Sequence, residues 1–203
     1  MKNKITLKPG TMVNPVPAVM VSCGEKEEEY NIITIAWTGI VNSEPPMTYI
    51  SVRKSRHSHG IIEKNKEFVI NLCNENLAFQ ADYCGVKSGK DVNKFKEQGL
   101  TPILGNQVKC PIIQEAPVNI ECRVREIISY PSHDMFIADR LEVHVDETLL
   151  NEKGKLELEK AELICYNHGD YFGLNKKPLG KFGFSIMKPK TKKRIEKEKR
   201  NKK

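Results

Sequence analysis

The spacing of the first three β-rich runs constrains this chain more than any other feature. Val16 to Cys23 (VPAVMVSC), Tyr30 to Val41 (YNIITIAWTGIV) and Met47 to Val52 (MTYISV) are dominated by Val, Ile, Thr and Tyr. These are the residues that suit a pleated, half-buried surface. Only GEKEEE (Gly24 to Glu29) separates the first two runs, and only NSEPP (Asn42 to Pro46) the next two. A parallel pairing needs a crossover of about a dozen residues, so the three runs are predicted to be antiparallel neighbours. EFVINL (Glu67 to Leu72) reads as a fourth strand.

Strand patterning returns later. Pro117 to Tyr130 alternates Val118, Ile120, Cys122 and Val124 with Asn119, Glu121, Arg123 and Arg125, the period of a strand with one apolar and one wet face. The turn PSHD leads into Met135 to Glu147, with Leu141, Val143 and Val145 on one face, and His133 and Asp134 read as a polar pair in that turn. Ala161 to Leu174 is aromatic and glycine-bearing. Helices are expected over Ser55 to Lys64, over Asn74 to Cys84 with Asn74 as cap, and over Ser88 to Gly99. Ser88 and Asp91 have the spacing of a capping box, and Gly99 is a stop. Many antiparallel strands with short helical excursions predict a mainly β fold, a small barrel decorated by helices, because closure removes exposed sheet edges.

The net charge of +7 resembles a nucleic-acid signature until it is located. Met187 to Lys203 holds ten Lys or Arg against two Glu, a balance of +8, which leaves −1 for the rest. The expected organisation is one domain over 1–187 and a lysine-rich, disordered tail over 188–203, with nucleic-acid binding by the barrel a remote alternative. Six cysteines lie scattered without a dithiol or zinc-ribbon spacing, and most read as small core hydrophobes. The polar start and the Pro15 and Pro17 interruptions of the first apolar run argue against a secretion signal, so a cytoplasmic location is expected. No run approaches the roughly 20 apolar residues of a membrane span.

Chemistry concentrates in two places. Arg53, Lys54, Ser55, Arg56, His57 and Ser58 fall where the third strand meets a helix, a setting of free N–H groups and cations that suits an anion such as a terminal phosphate. Gly85, Lys87, Ser88, Gly89 and Lys90 read as a second glycine-bearing cationic helix start. Solvated surface charge is the competing reading for both. Along NIITIAWTG, Asn31, Ile33, Ile35 and Trp37 share one strand face, while Ile32, Thr34, Ala36 and Thr38 share the other. Trp37 is open to a core or a ligand-facing role. His57 and His59, two residues apart with no third ligand, do not read as a metal pair, and no metal is expected.

Three stretches in order, NIITIAWTGIVNSEPPMTYISVRKSRHSHGIIEKNKEFVINL, ADYCGVKSGKDVNKF and HGDYFGL, resemble the flavin reductase-like family of FMN-binding split β-barrels, particularly its flavoredoxin branch. The resemblance spans nearly all of Lys8 to Met187. It implies a homodimer with one noncovalent FMN per barrel near the interface. It also implies Asn31, Thr34, Ala36, Trp37 and Thr38 along the flavin edge and ribityl chain. Ser51, Val52 and Arg53 would line the ring, and Arg56, Ser58, Ser88 and Lys90 the phosphate. His57 stands where many relatives carry an aromatic residue.

Flavin chemistry needs placement and electronics more than catalytic side chains, so the lack of a hydrolytic triad is no objection. Arg53 or strand N–H groups would balance the charge of a reduced flavin. His168 is the candidate for positioning a nicotinamide ring. The resulting expectation is an oxidoreductase that moves hydride from NADH or NADPH to FMN and electrons onward. The alternative is an electron carrier whose tightly held FMN is reduced by an electron-transfer protein.

Overall fold

The computed structural model describes residues 3–174, 177–188, 191 and 194. The lysine-rich segment from 188 onward lies almost wholly outside the described residues. The strands are β1 (Val16–Pro17), β2 (Val19–Cys23), β3 (Asn31–Ile35), β4 (Thr38–Ser43), β5 (Pro46–Arg53), β6 (Glu67–Leu72), β7 (Pro102–Leu104), β8 (Pro111–Ile113), β9 (Val118–Ser129), β10 (His133–Val145), β11 (Ile164–Asn167) and β12 (Asp170–Gly173). The helices are α1 (His57–Asn65), α2 (Ala78–Val86) and α3 (Lys94–Gln98), with several 3₁₀ turns between elements.

Seven strands form one antiparallel sheet in the order β3-β2-β6-β9-β10-β5-β4. Strands β3 and β4 are consecutive in the chain yet sit at opposite edges of this sheet. A link of only Ala36 and Trp37 joins them, so the sheet must curl until its edges meet. There the Ser51 amide donates to the Trp37 carbonyl at 2.9 Å. The seam is closed by the chain itself, with no β3–β5 ladder, which makes the fold a split β-barrel, mainly β with short helices. Its interior holds Val21, Ile33, Ile35, Ile50, Val52, Phe68 and Phe136, all buried. A second core packs α2 and α3 against the outer face of β2 and β3 through Met20, Ile32, Leu77, Ala81, Cys84 and Phe95. Both faces of β3 are therefore apolar-lined.

Several expectations are corrected. The first run breaks at Ala18: β1 pairs with β11 in a small β1-β11-β12 sheet, while β2 enters the barrel. The run Tyr30 to Val41 breaks at Ala36–Trp37, the seam. On β9 the wet face is dry at one end, where Asn119 and Glu121 are buried. Glu121 accepts the backbone amides of Asn106, Gln107 and Val108 and meets His144 Nε2 at 2.5 Å, which anchors the 105–108 loop over the strand. On β10, Leu141 and Val143 are exposed, and Phe136 and Ala138 carry the core contact instead.

The predicted Ser88–Gly99 helix shrinks to α3. Ser88 and Asp91 form a turn, with the Asp91 amide on the Ser88 carbonyl at 3.1 Å. The cap is Asn93, whose Oδ1 accepts the Lys96 amide at 3.0 Å, and Gly99 ends the helix at φ 61°. Asn74 does cap the segment leading into α2, accepting the Leu77 amide at 3.1 Å.

Candidate functional site

The seam opens into a hollow of about 470 Å³. Its walls come from β3 and the link (Ile33, Thr34, Ile35, Ala36, Trp37), the end of β5 (Ser51, Val52, Arg53), α2 (Asp82, Gly85, Val86) and the β11–β12 hairpin (Tyr166, Gly169, Tyr171). Apolar strand side chains and aromatic rings make it suited to a flat heterocycle. Trp37, 42% exposed, stacks at 4.6 Å on His133 at the mouth, so it faces the hollow and not the core. His133 contacts Trp37 and also helps close the turn before β10, where its carbonyl accepts the Tyr130 amide at 2.9 Å and its Nδ1 meets Ser132 Oγ at 2.8 Å. Asp134, its neighbour, is buried and meets His59 Nε2 at 2.8 Å and Ser129 Oγ at 2.8 Å.

A second hollow, of about 260 Å³, shares Ile33, Arg53 and Arg56 with the first. It is lined further by Asn31, Ser55, His57, Ser58, Lys87, Ser88, Gly89 and Lys94. Two sequence-distant turns, 53–58 and 87–89, therefore face one cavity. The first leads into α1, whose N-cap position Arg56 supplies no side-chain acceptor, so no cap side chain covers its first-turn amides, of which that of His59 donates to the Arg56 carbonyl at 3.0 Å. The second is not a helix start. It follows the C-terminus of α2, and its contribution is a tight turn rather than a dipole.

That turn is held by close approach. A Cβ on Gly89 would overlap the Asn31 side-chain amide, which itself donates to Ser58 Oγ at 2.8 Å. Asn31 thus ties β3, α1 and the 87–89 turn together. Beneath them lies Lys94, 3% exposed, donating to the Ile32 carbonyl at 2.7 Å and the Cys84 carbonyl at 2.8 Å. An ammonium group has three donors, and two are used on these carbonyls. Burial pushes the Lys94 pKa down, and the Arg56 charge pushes it the same way. The imidazoles beside the hollows feel the same field. His57 is lowered by partial burial and then by Lys90 and Lys94, and His133 by partial burial and then by Arg53. A cationic, partly buried cavity with a buried ammonium beneath it suits a multiply charged anion.

Of the residues predicted for a site, Thr34, Ala36, Trp37, Ser51 and Val52 line the ring-sized hollow, Asn31, Ser58 and Ser88 the cationic one, and Arg53 and Arg56 both. Thr38 lies outside: its hydroxyl donates to the Tyr49 carbonyl at 2.6 Å. Lys90 is exposed beside the cationic hollow. His168 is exposed at the β11–β12 turn, next to Gly169 of the ring-sized hollow.

The model of the flavin reductase like domain matches residues 12–174. This chain belongs to the flavin reductase-like family. The match ends with β12 and so takes in every wall of both hollows. A flavoredoxin of Desulfovibrio vulgaris (Miyazaki F) superposes with a TM-score of 0.84 at 28% identity, covering 91% of this chain and 100% of that one. Flavoredoxin from Methanosarcina acetivorans gives 0.81 at 26% identity, covering 92% and 100%. An uncharacterised protein of Aquifex aeolicus (strain VF5) is 32% identical over 169 residues, 79% of this chain and 85% of that protein.

Within this family member, sequence reasoning passed over Lys94, Asp82, Tyr166 and Tyr171. Lys94 sits in a lysine-rich helix where nothing in the pattern marks it as buried. Tyr166 and Tyr171 form an edge-to-face pair at 5.6 Å that closes the hollow opposite the barrel wall. Burial, together with Asp82, pushes the Tyr171 phenol up to about 12.

Proposed function

We propose that this family member binds FMN and transfers hydride to it from NADH or NADPH, passing electrons onward, as a homodimeric cytoplasmic oxidoreductase. The observation that carries this reading is the pair of joined hollows. One is apolar and ring-sized, the other is cationic, and Arg53 and Arg56 line both. A flavin ring against Ile35, Val52 and Trp37 and a phosphate among Arg56, Ser58, Ser88 and Lys94 would occupy them together. The residues fit the group, since the buried Lys94 ammonium and the Gly89 cradle both suit phosphate oxygens.

When bound, FMN supplies a ring that accepts hydride and releases electrons singly or in pairs. The protein's part is placement. Arg53, at the boundary of the hollows, would supply positive charge to a reduced, anionic ring. Trp37 and His133 shield one rim, and the Tyr166–Tyr171 pair the other. His168, at the hairpin tip beside Gly169, would meet a nicotinamide at the mouth. Support for a homodimer comes from edge strand β4, where Ile40 and Val41 are exposed beside Trp37. Support for a reducing compartment comes from six free cysteines, five of them buried.

A second reading, an electron carrier reduced by a protein partner, is favoured by the whole-length likeness to two flavoredoxins. Two measurements decide. Titration of the flavin-free protein with FMN should show saturable binding, and its absence would remove both readings. Stopped-flow mixing of the FMN-loaded protein with NADH and NADPH should bleach the flavin rapidly. Bleaching only with a reduced carrier protein would favour the second reading.

A further inference from the structure

Arg56, His57 and Ser58, at the start of α1, line the cationic hollow. Little in α1 itself fixes where that start lies. The helix is nine residues long, has no side-chain N-cap and contains Gly60. A helix this short is marginal alone, so tertiary contacts must set its position. Ile62 anchors it in the barrel core, but an apolar contact is non-directional and does not fix the helix's rotation.

Two directional contacts flank the first turn. On one side Ser58 Oγ accepts Asn31 Nδ2 at 2.8 Å, which ties the turn to β3. On the other, His59, 6% exposed, places Nε2 2.8 Å from Asp134 Oδ2, which ties it to β10. Asp134 is buried too, and it also receives Ser129 Oγ at 2.8 Å and Lys54 Nζ at 3.2 Å. Burial alone would raise its carboxyl pKa, but the bonds from Ser129, His59 and Lys54 outweigh it and hold the pKa below the usual range. The remaining neighbours of the imidazole are the edge-on Phe136 ring at 5.3 Å and Glu63 of the same helix, 3.9 Å from Nδ1.

Neither His59 nor Asp134 lines either hollow. Their neighbours in the chain do. His59 follows Ser58, and Asp134 faces Val52 across the β10–β5 ladder, one step from His133 opposite Arg53. One buried bond therefore links the turn at the cationic hollow to the strand ends that wall the ring-sized one. Apolar residues of similar volume often replace a buried charged pair at little cost, so stability alone does not call for this one. What the bond adds is a single orientation of the turn.

We propose that His59 and Asp134 are a positioning pair, which holds Arg56 and Ser58 at the distance from Val52 and Arg53 that a flavin's phosphate and ring require together. Both act without touching the ligand, and the proposal rests on the flavin reading above.

The experiment compares binding of FMN and of riboflavin, which lacks the phosphate, to the flavin-free full-length protein. The wild type is set beside His59→Leu, His59→Gln and Asp134→Asn, with circular dichroism and thermal melts to check folding. In His59→Leu, FMN should weaken by about tenfold and riboflavin by less than about twofold, a difference of about 1.4 kcal/mol confined to the phosphate. In His59→Gln, whose amide nitrogen replaces Nε2 as donor, FMN affinity should return to within about threefold of wild type. Asp134→Asn keeps the shape of the acceptor without its charge. It should lower FMN affinity relative to riboflavin by about threefold or more, and serves if His59→Leu does not fold. Equal weakening of the two flavins, or unchanged FMN affinity in a folded His59→Leu, overturns the positioning role and leaves the flavin reading intact. A wild type that binds neither flavin overturns both.

Discussion

Gly89 rests against the side-chain amide of Asn31 with no room for a single added carbon. The contact joins the 87–89 turn to the β3 strand and sets the depth of the cationic hollow. Gly89→Ala is expected to displace either the turn or Asn31, breaking the 2.8 Å bond from Asn31 to Ser58. Overpacking of this kind costs about 1–3 kcal/mol. FMN titration should show affinity reduced by about tenfold, a loss of about 1.4 kcal/mol. Unchanged affinity would mean that the phosphate lies elsewhere.

Lys94→Met keeps the stem and removes the charge. It strips a donor from the Ile32 and Cys84 carbonyls, so urea unfolding should show a loss of about 1–3 kcal/mol. Because burial lowers the Lys94 pKa, the folded chain gives up this proton more readily than the unfolded chain does. Its contribution to stability therefore rises with pH between the folded and unfolded pKa values. FMN affinity should show the opposite trend, falling as alkali neutralises Lys94. Isothermal titration across the alkaline range should find that limb in the wild type and not in Lys94→Met.

The strands were legible because alternation and β-branching report directly on a pleated surface. The site was half legible. Arg53 to Ser58 announced itself through cations at a strand-to-helix junction, and the structure does place it at the start of α1. The 85–90 segment was read as a second helix start because Ser88 and Asp91 copy a capping box. Five residues after Ser88, Asn93 takes the cap, and Ser88, whose hydroxyl accepts the Lys90 amide at 3.2 Å, lines the hollow instead. Lys94 and Glu121 were not legible at all. Their burial depends on what covers them, α2 and β3 for the lysine and the 105–108 loop for the glutamate, and covering is a tertiary fact that local periodicity does not carry. The seam was hidden for the same reason: Ala36–Trp37 reads as continuous strand until β3 and β4 are seen at opposite edges.

Glu121 predicts the acid behaviour. Burial alone would raise its carboxyl pKa, but bonds from His144 and from the amides of Asn106, Gln107 and Val108 outweigh it and hold the pKa below the usual range. A depressed carboxyl pKa gives stability that is present above the unfolded value and lost as pH falls through the folded one. Glu121→Gln should therefore destabilise at neutral pH, by about 1–3 kcal/mol for donors left poorly matched. It should also flatten the wild type's decline in acid. Thermal melts from neutral to strongly acidic pH check both, and parallel curves for the two proteins would refute the assignment.

Trp37 separates folding from binding. It is 42% exposed and contacts His133 at the mouth, so Trp37→Ala removes little buried surface. Thermal stability should change by less than about 1 kcal/mol. Loss of one aromatic contact to the ring, worth about 1 kcal/mol, should weaken FMN binding by about fivefold. A large fall in melting temperature with intact FMN affinity would assign Trp37 to the barrel core after all.

His168 offers the cleanest test of the nicotinamide end. It occupies the first position of the two-residue turn between β11 and β12 at φ 52°, followed by Gly169 at φ 110°. Asparagine followed by glycine is the sequence such a turn prefers, so His168→Asn removes the imidazole while supporting the hairpin. The Tyr166–Tyr171 pair inside the hairpin should then stay in place, and with it FMN affinity. If the imidazole meets the nicotinamide, single-turnover bleaching by NADH or NADPH should slow by about tenfold or more, an increase of about 1.4 kcal/mol in barrier. If bleaching is unchanged in a variant that still binds FMN normally, the turn serves only to hold the two tyrosines over the hollow, and the nicotinamide must approach from the Trp37–His133 side.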